Sequence, residues 1–332
     1  MLGSSDRSLC EAYDLAMLDL DGVVYVGGDA VPGAPEHIEA VREAGLRVAF
    51  ITNNAARPPA RVAEHLRELG IEAEETDVVT SAQAAARLLV DRLGTGAEIA
   101  LLGGAGLEDA LVVEGLKPVT VHDEARAIVS GYGPDVVWRD IMQAAVRIRG
   151  GLTWVASNTD RTFPTEYGVA PGHGVLVETL SSFSGVEPLV AGKPRRPLLD
   201  ETVRRVGGER PLMVGDRLDT DIAGAHNAGL DSLLVMTGVT GLPELVAATA
   251  EERPTYIAPD LGGLLEAHAV PEANGGDPAL GGWKAVVDSG RLSISGEGSP
   301  ADWWRIVASA AWCHLDETGD VVDVGDVRAP LP

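Results

Sequence analysis

Short apolar runs recur along this chain, each followed by a longer amphipathic stretch, and that alternation restricts it to the α/β class. Residues 15–20 (LAMLDL) and 47–51 (RVAFI) read as buried strands, and 35–44 between them reads as a helix closed by Gly45. A strand, a helix and a strand in that order form a right-handed parallel crossover. Helices are expected at 59–69 and 81–93. The alternation then restarts, with strands at 98–102, 127–130 and 153–156 and helices at 107–114 and 136–149, enough for a second small sheet. Beyond residue 189 the pattern predicts helices at 197–206 and 219–228 and strands at 211–214 and 232–236.

The segment 271–282 (PEANGGDPALGG) has loop composition, and four of the six tryptophans, Trp283, Trp303, Trp304 and Trp312, follow it. A hairpin over 284–294 turning at Ser289-Gly290, a helix over 301–313 and a strand over 321–324 make this tail a small appended unit. The expected organisation is a Rossmann-like, doubly wound parallel-sheet core from 1–82 and 187–270. Into it is inserted an α/β cap, 83–186, and a small α+β extension, 275–332, follows it.

Acidic residues outnumber basic ones 50 to 26, a net charge of −24. A field of that sign disfavours nucleic acid and anionic membranes as main partners. It still admits a small anion, because one lysine or a bound cation inverts the potential locally. Two cysteines, Cys10 and Cys313, match no disulfide framework or metal spacing, which suits a reducing cytoplasm. The first residues lack the basic start and apolar centre of a secretory signal.

Four segments carry chemistry, and each follows an apolar strand, where open parallel sheets place their ligands. In LDLDGVVY, Asp19 and Asp21 bring two mutually repelling carboxylates together, a cost relieved by a cation or a shared proton. The plainer reading is a turn that ends a strand. In ITNNAARPP, Thr52, Asn53 and Asn54 offer a hydroxyl and consecutive N–H groups to a phosphate, or form an ordinary Asn-rich turn. Lys193 in AGKPRRP is a point charge for a phosphoryl oxygen, or one of three solvated cations in a surface loop. In VGDRLDTDIAGAHNAG, Asp216 is placed to complete an oxygen-ligand site for Mg²⁺. Asp219 reads as a helix cap, and Asp221 as an outer-shell group.

Taken together, the four motifs resemble those of the haloacid dehalogenase superfamily of phosphohydrolases, in the same order, over about residues 14–240. The insertion point, with the strings TNNAARPP, GYGPDVVW, ASNTDRTFP and GVEPLVAGKPRRP, is similar to the p-nitrophenylphosphatase branch with its type-two α/β cap. The resemblance implies Asp19 as nucleophile and Asp21 as general acid and base. It implies Mg²⁺ held by Asp19, the Asp21 backbone carbonyl and Asp216, with Asp221 behind them. Thr52, the Asn53 amide and Lys193 would hold the phosphoryl oxygens, Asn54 lying beside them. Asn158 and Asp160, after the cap strand 153–156, are expected to face the substrate or to form a capping turn.

The implied reaction is hydrolysis of a small phosphorylated metabolite, glycerol 3-phosphate first, with phosphoglycolate and nucleoside monophosphates as alternatives. Self-association into a homo-oligomer is compatible with all of this. A binding protein on a retired phosphatase scaffold would have lost one of Asp19, Asp21, Lys193 or Asp216, and all four are present. Mutase-type relatives usually place the cap after the first motif, whereas only about thirty residues separate Asp21 from Thr52 here. The Gly104-Ala105-Gly106 string is set aside as a dinucleotide site, because Asp109 stands where the third glycine belongs.

Overall fold

The computed structural model describes residues 2–165, 168–272 and 277–330. Its chain contacts divide it into two compact units, Met1–Val48 with Gly208–Pro332, and Ala49–Gly207.

The first unit is built on four parallel strands in the order Tyr256–Ala258, Asp231–Val235, Pro211–Gly215, Leu15–Asp19. The strands are almost wholly buried, which is why they read as unbroken apolar runs instead of alternating ones. Parallel pairing puts the carboxyl ends of Leu15–Asp19 and Pro211–Gly215 on the same side of the sheet. Asp19 and Asp216 therefore start from neighbouring positions.

The tail belongs to this unit. Its antiparallel strands Trp283–Asp288 and Arg291–Gly296 turn at Ser289-Gly290, as the sequence predicts. The helix Pro300–Thr318 opens with the Ser299 hydroxyl accepting the Asp302 N–H. Ala308 and Trp312 on that helix join Leu234, Leu245 and Ile257 in one cluster. The Trp312 indole N–H donates to the Leu245 carbonyl at 2.8 Å. Arg253 grips Asp316 with two 2.7 Å hydrogen bonds and lies over the Trp312 ring. No strand forms over 321–324: a single bridge joins Asp323 to Arg291, too short a pairing to extend the sheet. Residues 273–276 of the expected loop lie outside the described residues.

The second unit holds most of the strand Arg47–Thr52, paired in parallel through Phe50–Thr52 with Val78–Thr80, and a separate five-stranded parallel sheet. The order in that sheet is Leu189–Val190, Thr153–Ala156, Ala127–Ser130, Glu98–Leu102, Lys117–Val119. Helices Trp138–Arg149 and His173–Ser184 close one apolar cluster with it, centred on Ile128, Ala144, Ile148, Trp154 and Leu180. The helix Ser81–Leu93 begins with a reciprocal cap, Thr80 N–H to the Gln83 side chain and Gln83 N–H to the Thr80 hydroxyl. The sequence reading gave neither the His173–Ser184 helix nor the small hairpins Tyr25–Val26/Asp29–Ala30 and Thr162–Thr165/Gly168–Pro171.

Burial in one shared cluster predicts that Trp312→Ala lowers the stability of the first unit by about 3–5 kcal/mol, read from the urea midpoint. A tail with a core of its own would leave the unit's main transition unmoved.

Two buried histidines add a pH dependence. Desolvation pushes His173 and His268 down to about 4. The folded protein therefore refuses protons that the unfolded chain accepts below about pH 6.5. Stability is full above that pH and falls as pH drops toward 4, by about 1.4 kcal/mol per pH unit for each histidine. Urea titrations between pH 7 and 4.5 should show this slope, and His173→Gln or His268→Gln should each flatten it.

Candidate active site

Each unit carries one group of the residues singled out by sequence. In the first, Asp19, Asp216 and Asp221 each offer a carboxylate oxygen, and these oxygens lie within 4.8 Å of one another. Asp19 is half-buried at the end of its strand, while Asp216 and Asp221 are fully buried. Three ionised carboxylates this close repel by roughly 3 kcal/mol per pair at an effective dielectric near 20, a cost that a divalent cation reverses. The donor set is all oxygen, which fits a hard cation such as Mg²⁺ or Ca²⁺.

The local backbone explains how the cluster is held. Asp216 accepts the Val239 N–H at 2.6 Å, and its own N–H donates to Asp221 at 3.2 Å. Asp221 also takes the Arg217 N–H at 3.0 Å. That pull shapes the following turn: Ile222 N–H reaches back to the Arg217 carbonyl, giving a π-turn, Leu218–Ile222, before the α-helix Ala223–Ala228. The single helix expected over 219–228 is thus two elements. Asp219 points away, in a two-bond pair with Arg217.

Asp21 is exposed on the tight turn after Leu20, where Gly22 N–H donates to the Tyr25 carbonyl. Gly22 has φ +88, and a Cβ there would lie 2.4 Å from an Asp216 oxygen. Both the conformation and the space require glycine. Gly238 approaches the same carboxylate from the other side, with a Cβ position 2.0 Å from it, and the Thr237 hydroxyl donates to the Gly22 carbonyl. The sequence reading missed this Thr237-Gly238-Val239 wall. Its signal was position alone, directly after the strand Asp231–Val235 at the same sheet end.

In the second unit, Thr52, Asn53, Asn158, Asp160 and Lys193 come together. Lys193 is 2% exposed, so it is not the solvated loop cation of the plainer reading. The Asn53 side chain pairs with the Lys193 backbone both ways, accepting its N–H at 2.8 Å and donating to its carbonyl at 3.0 Å. The same amide nitrogen donates to Asp160 at 3.0 Å. Thr52 accepts the Asn54 N–H, which leaves the Thr52 hydroxyl proton for another acceptor. Asn54 is exposed, and its side chain closes a turn onto Ala56 N–H. Asn158 is 4% exposed: its amide donates to the Asn53 carbonyl and its oxygen accepts the Asp160 N–H. Both ends of that side chain are engaged in the turn.

Comparison with known proteins bears on what these groups do. Residues 16–117 match the haloacid dehalogenase-like hydrolase family model, and 190–264 match a second, HAD-hydrolase-like model. D-glycerol 3-phosphate phosphatase of Mycobacterium tuberculosis is 40% identical over 97% of this chain and 94% of its own length. The chain belongs to the haloacid dehalogenase-like hydrolases. A crystal structure of the M. tuberculosis glycerol phosphate phosphatase in complex with magnesium superposes with a TM-score of 0.83 at 41% identity, covering 92% of each chain. The p-nitrophenyl phosphatase of Archaeoglobus fulgidus gives a TM-score of 0.71 at 28% identity, covering 76% of this chain and 98% of its own.

Because Gly22 and Asp216 share one space, Gly22→Ala should lower the thermal midpoint by several degrees and abolish the upward shift produced by magnesium chloride, followed by differential scanning fluorimetry. A retained magnesium shift would mean that the cluster is not the cation site.

Proposed function

We propose that this protein is a Mg²⁺-dependent phosphomonoesterase that hydrolyses a small phosphorylated metabolite, with glycerol 3-phosphate as the preferred substrate. One observation carries the reading: a buried carboxylate cluster at the strand ends, in a chain 40% identical along nearly its whole length to a glycerol 3-phosphate phosphatase. Phosphoglycolate and nucleoside monophosphates are the next substrates in order.

In this proposal the Asp19 carboxylate attacks phosphorus in line, forming an aspartyl phosphate as the P–O bond to the alkoxide breaks. An aspartate suits this role because it is already ionised at neutral pH. Asp21, exposed on its turn, gives a proton to the departing alkoxide. It then takes a proton from the water that attacks the intermediate, releasing phosphate and restoring Asp19. The Thr52 hydroxyl, the Asn53 backbone N–H and the Lys193 ammonium hold the remaining phosphoryl oxygens. Asp19, Asp216 and the Asp21 backbone carbonyl would hold Mg²⁺, with Asp221 supporting Asp216 through its N–H. When bound, the cation supplies positive charge that lets an anionic nucleophile approach an anionic phosphate.

We also propose that 83–186 acts as a cap reading the leaving group, and that Asp160 is the cap carboxylate facing it. Asn158 frames that turn and Asn54 closes the neighbouring one. We propose a cytoplasmic location, supported by two cysteines, Cys10 and Cys313, that are not joined to each other. Among the described residues no helix is long and apolar enough to cross a membrane.

The test is phosphate release from glycerol 3-phosphate, phosphoglycolate, nucleoside monophosphates and p-nitrophenyl phosphate with magnesium chloride. Glycerol 3-phosphate is expected to give the highest kcat/KM, chelation to stop turnover, and Asp19→Asn to lose roughly a thousandfold or more. Full turnover after exhaustive chelation, or a near-normal rate in Asp19→Asn, overturns the mechanism.

A further inference from the structure

His173 lies in the sequence Gly172-His173-Gly174, between a hairpin and the helix His173–Ser184, and nothing in the proposed chemistry uses it. It is 4% exposed. Its Nε2 meets the Ser130 hydroxyl at 3.2 Å, at the end of the strand Ala127–Ser130, and that hydroxyl also accepts the Trp154 indole N–H at 2.8 Å. Its Nδ1 has no hydrogen-bond partner among the described residues.

The two glycines beside it press on the turn that carries Asp160. Gly172 N–H donates to the Arg161 carbonyl at 2.7 Å, and Gly174 N–H to the Asp160 carbonyl at 2.8 Å. A Cβ on Gly172 would lie 2.2 Å from the Asp160 carbonyl oxygen, and one on Gly174 would lie 2.2 Å from that of Thr159. Gly172 has φ −84, a conformation open to any residue, so lack of space alone demands glycine there. Two backbones meet at the closest approach a peptide allows, and a buried imidazole pins one of them to the central strand of the sheet.

We propose that His173 is a positioning residue: with its flanking glycines it clamps the Thr159–Asp160 backbone against the cap sheet and so fixes the Asp160 carboxylate for recognition of the leaving group. This rests on the phosphatase reading above. Three observations favour it over simple packing. The clamp acts on the backbone of Asp160, whose carboxylate reaches Asn53. It closes the base of the hairpin Thr162–Thr165/Gly168–Pro171, so the turn and the hairpin share a backbone hydrogen bond. Finally, Asn53 is also held by groups that do not touch Asp160: both backbone groups of Lys193, and the Ser81 hydroxyl on the Asn53 carbonyl. Loosening the clamp therefore shifts Asp160 and leaves the Lys193 side in place. The expected effect is selective.

The experiment compares His173→Leu, His173→Gln and Gly174→Ala in the full-length, magnesium-loaded protein. For His173→Leu and Gly174→Ala, kcat/KM on glycerol 3-phosphate should fall about tenfold or more, while p-nitrophenyl phosphate, whose activated leaving group needs little recognition, stays within about threefold. His173→Gln, which keeps a polar end within reach of Ser130, should recover most of the loss. In parallel, amide exchange over 157–163 should quicken in the two damaging variants and stay unchanged over 127–130. Equal losses on both substrates that track the thermal midpoint, or unchanged exchange over 157–163, overturn the proposal. If the unmodified protein releases phosphate from neither substrate, the phosphatase reading fails, and the exchange measurement still decides whether the clamp exists.

Discussion

Mutual repulsion among Asp19, Asp216 and Asp221 is the constraint around which the first unit is arranged. Carboxylates within 4.8 Å of one another are tolerated where the backbone pins them and a cation or a shared proton offsets their charge. The backbone half of that requirement is visible throughout. Val239 N–H holds Asp216, the N–H groups of Asp216 and Arg217 hold Asp221, and two glycines are kept bare so that Asp216 fits. Even the π-turn is a consequence, because the chain must swing Asp221 back over the strand end.

The second unit meets a different demand, which is to keep a lysine in place away from water. A buried ammonium costs several kcal/mol unless its surroundings are polar and fixed. Asn53 supplies the fixing through the Lys193 backbone. This explains why an asparagine follows Thr52: a primary amide presents a donor and an acceptor side by side, matching a peptide's two polar groups together.

Much of the fold was legible because strands buried on both faces are apolar runs, and because capped helices announce their ends. Residues 81–93, 98–102, 127–130, 153–156 and 197–206 are elements with the bounds that pattern gives. The hairpin Thr162–Thr165/Gly168–Pro171 was not, since its pairing depends on closure at Gly172 and not on alternation. Asp219 was expected to cap a helix and does not: its carboxylate is drawn to the Arg217 guanidinium two residues back, while Asp221, alike in sequence, takes two backbone N–H groups. The Thr237–Val239 wall was hidden because its contribution is backbone N–H and the absence of a side chain, neither of which composition records. Burial of Lys193 was equally unreadable from three basic residues within four positions, since it depends on Asn53, 140 positions away.

The tail helix has an effect beyond packing. Tyr256–Ala258 is the last strand of its sheet, and an outermost strand offers its unpaired peptide groups to any passing chain. Here the buried Arg305 guanidinium, carried by the helix Pro300–Thr318, donates to the Ile257 carbonyl at 3.1 Å. The extension thus takes up, with a side-chain hydrogen bond, a carbonyl on the sheet's open border that would otherwise be offered to another strand.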